Sequence, residues 1–161
     1  MSGRTHDDTN RPGHPAALGL DADFETDLRC ALTNTSPVLI TAPADVATAV
    51  ATRIHRNGVN RTGAFLTIDC GKAHLPEQLD MVFDSAAPRG TVFLRDVDRL
   101  GPALQSLLYF RIVPLGVRVI AATSASLLCA LTQGTFDERL FYRLNQIHLV
   151  AAQPSDPCAV A

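Results

Sequence analysis

Ser36-Pro37-Val38-Leu39-Ile40-Thr41, followed by Ala42-Pro43-Ala44-Asp45-Val46-Ala47-Thr48, decides the reading of this chain. An apolar run closed by a small residue, a turn marked by proline and a helical pattern reaching Arg53-Ile54-His55-Arg56 predict strand, turn and helix. Asp45 falls in the first turn of that helix, where a carboxylate interacts well with the free N–H groups.

The same alternation repeats on either side. Phe24, Leu28 and Leu32 recur at four-residue spacing, which predicts a helix over 21–34. Further strands are read at 65–70, 91–94, 117–122 and 147–150, with helices at 76–84, 101–111 and 124–133 and another over 136–144. Ser124 or Ser126 is the expected cap of the 124–133 helix, and Gly134 its stop. The run from Val117 to Ala122 is nearly all apolar, as a strand covered on both faces should be. Five strands separated by helices predict a parallel, doubly wound α/β sheet.

Composition narrows the class. The 161 residues are 47% hydrophobic and 19% charged, with net charge −2, so the chain reads as one globular domain without a basic nucleic-acid face. Residues 1–19 read as a disordered lead, 20–151 as the folded domain and 152–161 as a flexible tail. The lead has no apolar h-region and nothing approaches the roughly 20 apolar residues of a membrane span. Cys30, Cys70, Cys129 and Cys158 lack metal-site spacing and read as free thiols, which fits a cytoplasmic protein. His55 and His148 read as packed or half-exposed residues rather than ligands, and no metal or cofactor is expected.

A strand–turn–helix unit is also where P-loop domains hold phosphates. That chemistry needs glycines, so that backbone N–H groups can wrap the anion, and a Lys to reach the terminal phosphate. Here no Gly occurs from Leu20 through Asn57, and the chain's single Lys is Lys72. The frame of an ATPase is expected without its phosphate grip.

Seven stretches in order resemble the central AAA+ domain of sigma-54-dependent bacterial transcription activators: SPVLIT at 36–41, RIHRN at 53–57, GAFLTIDC at 63–70, LPEQL at 75–79, RGTVFL at 89–94, VRVIAATS at 117–124 and GTFDERLFYRLNQIHL at 134–149. The resemblance implies a three-layer, five-stranded parallel sheet of the P-loop NTPase/AAA+ type, here without the helical lid domain. It places the family's P-loop Lys near Ala47, so 42–48 is a degenerate P-loop. The family's acidic pair after the third strand, which holds Mg²⁺ and polarises water, reads Arg95-Asp96. A guanidinium there opposes a divalent cation directly. Arg95 and Asp96 are instead expected to form an ion pair at the strand's end.

The resemblance further places the sensor Asn at Ser124 and the two trans-acting arginines at Asp137 and Arg143. Arg143 could face a neighbouring subunit. The loop that contacts sigma-54 is missing between Leu79 and Gly90, and the second pore loop is cut to a short connection at Pro114. No DNA-binding element is seen. The function expected is therefore a non-catalytic, AAA+-like interaction or regulatory module, docking on an AAA+ activator or on itself. The alternative is a weak nucleotide-binding sensor.

Overall fold

A computed structural model describes residues 22–72, 75–86, 89–112 and 116–151. The expected disordered lead, the tail and the connection at Pro114 lie outside the described residues. Along the chain run α1 (Ala22–Thr33), β1 (Val38–Thr41), α2 (Ala44–Asn57), β2 (Phe65–Asp69), α3 (Leu75–Ala86) and β3 (Thr91–Arg95). After a 3₁₀ turn at Val97–Arg99 come α4 (Pro102–Ile112), β4 (Arg118–Thr123), α5 (Leu127–Thr132), α6 (Glu138–Leu144) and β5 (Ile147–Val150).

The five strands form one parallel sheet in the order β2-β3-β4-β1-β5. Val38 aligns with Ile120 on one side and Ile147 on the other, so β1 is buried over its whole length. A strand enclosed in this way must be apolar on both faces, and its alternate residues enter different cores. Leu39, Val92, Leu94, Val119 and Ala121 pack with α3, α4, α5 and α6. Val38, Ile40, Phe93, Ile120 and Ala122 pack with α1 and α2. Three layers result, with the C-terminal ends of β1, β3 and β4 at one edge of the domain.

Local chemistry sets the boundaries. Residues 124–126 are not helical: the Thr123 hydroxyl accepts from the Ala125 N–H (3.0 Å), and α5 starts only after Ser126, whose side chain accepts from Cys129 N–H. Gly134 ends it at φ +70°, with Gly134 N–H bonded to Leu131 O and Thr135 N–H to Ala130 O. Cys30 and Cys70 are free thiols, whereas Cys129 is disulfide-bonded, which corrects the expectation at that position.

Phe93 is wholly buried in the α1/α2 core. Phe93→Ala should lower unfolding free energy by about 3–5 kcal/mol. Leu128→Ala, at a residue 64% exposed, should stay within about 0.5 kcal/mol. Urea unfolding followed by circular dichroism checks both.

Candidate functional site

The turn after β1 is two residues long. Ala42 is buried, and its N–H donates to the Thr123 carbonyl (3.0 Å), tying the turn to the end of β4. Pro43, at φ −54° and ψ 151°, is the N-cap of α2 and makes no side-chain capping bond. Its carbonyl accepts from the Ala47 N–H (2.9 Å), so the helix is under way at Ala44. Proline has no N–H to offer and its fixed φ suits an abrupt helix start. Asp45 is exposed, Val46 and Thr48 are half-buried, and the Thr48 hydroxyl donates back to Ala44 O (2.7 Å).

Directly above this turn, Ala42, Ala44, Ala47, Phe93, Arg95, Asp96, Ala122 and Thr123 meet around a crevice with about 0 Å³ open to a water-sized molecule. Ala42, Ala44 and Ala47 of the 42–48 stretch thus meet Arg95 and Asp96 at one edge of the sheet, while Asp45, Val46 and Thr48 do not line the crevice. Ser124 does not join them. It is exposed, and its neighbour Thr123 takes the inward place, 1% exposed, with its hydroxyl donating to Asp98 Oδ1 (2.7 Å). Thr123 was noted from sequence only as the neighbour of Ser124 at the end of the fourth strand, and Asp98 was not singled out. The available signal was a Thr closing an apolar strand and an Asp three residues past β3.

Arg95 and Asp96 form no ion pair, contrary to expectation: among the described residues the ion pairs are Arg53–Glu25, Lys72–Asp69, Arg111–Asp80 and Arg139–Asp137. The backbone explains it. Neighbouring residues on a strand point to opposite faces, and Asp96 then takes the left-handed conformation (φ 54°, ψ 52°) to cap the 3₁₀ turn. Arg95 keeps a buried, unpartnered Nε and borders a second cleft of about 370 Å³ with Asp69, Lys72 and Met81. Burial pushes the Cys70 thiol beside this edge up to about 12, which leaves it unreactive at neutral pH. Among the described residues no three His, Cys, Asp or Glu side chains converge on a metal position.

The two arginine-finger positions have different fates. Asp137 caps α6, accepting from the N–H groups of Arg139 (2.8 Å) and Leu140 (3.1 Å), and pairs with the Arg139 guanidinium at 2.9 Å. Its own N–H donates to the buried Gln105, whose amide also holds Leu100 O and Thr135 O. Arg143 sits in the last turn of α6, half-buried, and lies toward the N-terminal ends of β1 and β4 with Ser36 and Gly116. It is not part of the closed crevice. Of the two histidines, His55 is packed as expected, its Nδ1 bonding Thr91 Oγ1 (3.0 Å) against Phe65, whereas His148 is exposed, with its Nε2 bonding Thr41 Oγ1 (2.8 Å). Burial first, then Arg118, lowers the pKa of His55.

A five-stranded parallel sheet in this order, flanked by helices and carrying its strand–turn–helix unit at the strands' C-terminal edge, is an α/β domain of the P-loop NTPase type. Within that class the chain belongs to the sigma-54 interaction domain family, which matches residues 21–152. It is 35% identical over 128 residues to nitrogen fixation protein AnfA of Azotobacter vinelandii, covering 60% of this chain and 24% of that protein. Regulatory protein AtoC of Escherichia coli is 32% identical over 133 residues, covering 63% of this chain and 28% of AtoC. The chain thus spans well under half the length of these relatives.

Among solved structures, NtrX from Brucella abortus in complex with ATP superposes with a TM-score of 0.71 at 22% identity, covering 88% of this chain and 39% of that one. The P-loop NTPase domain of the sigma-54 transport activator from E. coli gives 0.65 at 19% identity, covering 79% of this chain and 98% of that one. At these identities the likeness is one of fold.

Asp137 supports a prediction with a defined sign. The Arg139 side chain, more than the two backbone N–H bonds, holds its pKa below the usual value. A depressed carboxylate stabilises the fold above its unfolded pKa, and the contribution is lost as pH falls through the folded pKa. Asp137→Ala should cost about 1 kcal/mol at pH 7, and the gap from wild type should close only as pH falls below about 3.9. Asp137→Asn should retain most of the cap. Denaturant titrations at pH 7, 5 and 3 measure this.

Proposed function

We propose that this chain is a non-catalytic member of the sigma-54 interaction domain family, a pseudo-ATPase acting as a protein-interaction or regulatory module in bacterial transcription. One observation carries the reading: the position at which a P-loop would cradle phosphates is a two-residue turn beneath a crevice too small for water. The N–H of Ala42 is already bonded to β4, Pro43 has none, and neither glycine nor lysine is present from 42 to 48. Arg95 borders the same crevice, where the related ATPases place a Mg²⁺-binding carboxylate. Phosphoryl transfer depends on positioning and charge stabilisation, and these features of the turn and of Arg95 weigh against both, although Arg143 occupies the position of one trans-acting arginine.

The similar proteins support the regulatory half of the reading, because one is described as a sigma-54-dependent transcriptional activator, SfnR of Pseudomonas putida. A folded surface is what remains to act. Beside α6, Leu128, Tyr142 and Val150 are exposed around an apolar groove of about 320 Å³, the kind of patch that serves protein contacts. The partner in this proposal is an AAA+ activator or a second copy of the chain.

Isothermal titration with ATP and Mg²⁺, paired with a phosphate-release assay, tests the proposal. No heat of binding up to about 1 mM nucleotide and no release above buffer are expected. Micromolar affinity would instead favour a nucleotide sensor, and hydrolysis abolished by Asp96→Ala would overturn the non-catalytic assignment.

A further inference from the structure

Cys129 lies in the first turn of α5 and is 5% exposed, yet it belongs to neither apolar core. Its sulfur accepts from the Gln133 amide on the same helix (3.4 Å) and is engaged in a disulfide. The chain has four cysteines. Cys30, on α1 in the opposite layer, and Cys70, after the strand at the far side of the sheet from β5, are both free thiols. That leaves Cys158 as the partner.

The reach of the chain agrees. Val150, at the end of β5, and Leu128, beside Cys129, line one groove of about 320 Å³. The seven steps from Ala151 to Cys158 span up to roughly 25 Å when extended, more than the width of such a groove. Pro154 and Pro157 fix φ and bias Gln153 and Asp156 toward extended backbone. The groove is mainly apolar, and the same segment brings Ala152 and two proline rings to it.

We propose that Cys129 and Cys158 form a redox-reversible clasp that holds residues 152–157 across the rim of this groove, from Val150 to Leu128. Reduction releases the segment and opens the groove at that rim. The pairing stands by itself; only its bearing on a partner protein rests on the interaction role proposed above. In reducing compartments the disulfides that do form are mostly transient or redox-sensing, which suits a clasp of this kind.

Closure is thiol–disulfide exchange with a small-molecule disulfide such as oxidised glutathione. The Cys158 thiolate attacks it and displaces one small thiolate. The Cys129 thiolate then attacks the mixed disulfide at the Cys158 sulfur and displaces the second. The two protons lost by the protein thiols end on the two released thiolates, and two electrons pass from the cysteine pair to the small disulfide. Excess small thiol reverses both steps. Cys70 takes no part, since burial holds its thiol at about 12.

Peptide mapping and NMR of the full chain test the proposal. After treatment with oxidised glutathione and digestion without reductant, mass spectrometry should find the Cys129 peptide joined to the Cys158 peptide. Alkylation in denaturant should count two thiols in that sample and four after dithiothreitol. In ¹⁵N–¹H spectra the Leu128, Cys129 and Val150 amides should move between the oxidised and reduced forms. In Cys158→Ser none of these signals should respond to redox state, whereas Cys30→Ser should behave as wild type. Four thiols in the oxidised sample, or Cys129 joined to Cys30 or to a second copy of itself, would overturn the pairing. A confirmed bond whose reduction moves only amides within 129–133 would overturn the strap across the groove. None of these readouts involves a partner protein, so their failure is distinct from failure of the interaction role.

Discussion

The Ala42–Pro43 turn is short because both of its ends are fixed by the sheet. Thr41 O accepts from the Ala151 N–H after β5, and Ala42 N–H donates to Thr123 O at the end of β4, each at 3.0 Å. The chain is thus paired toward β5 up to the last residue of β1 and toward β4 one residue beyond it, and Pro43 starts α2 at once. Ala47 then falls at 1% exposure against the same core that holds Phe93 and Ala122. A glycine loop that stands off to wrap an anion requires backbone freed from such pairing. Here the ladder and the core hold that backbone, and small side chains fill the space.

Most of the architecture was legible because it rests on periodicity. Ile147–Val150 was read to the residue, since an apolar strand bounded by polar or turn-forming residues leaves little room for error. The α5 boundary was three residues out: Ser124 and Ser126 both suit a cap, and the later one is selected by the Thr123–Ala125 turn, whose hydroxyl is anchored on the distant Asp98. The strand order could not be read, because periodicity identifies strands and not their neighbours.

The candidate site was less legible for a related reason. Arg95-Asp96 reads as an ion pair in sequence, but the left-handed turn at Asp96 separates two charges that sequence places side by side. Arg118 was read inside an apolar strand without remark, yet it is fully buried and orders the ends of α1 and α2 around its guanidinium. Gln105 is a similar case, a helix glutamine that holds the loop before α6 through two hydrogen bonds and the Leu100 carbonyl before α4 through a third. Buried polar residues are specified by partners far along the chain, so no local window shows them.

The domain also illustrates why a site can change while its scaffold stays. Asp45, Arg95, Asp96 and Ser124 lie at strand and helix ends and belong to neither apolar core. Substitutions at such positions alter charge and hydrogen bonding locally and leave the burial that stabilises the sheet intact. Ala42 and Ala47 differ, since they lie in the same turn but are packed in the α1/α2 core. A lysine in place of Ala47 would put a long cationic side chain at a buried position beside Phe93, a change the core resists. Small apolar residues close the crevice, and packing itself opposes a phosphate cradle at this turn.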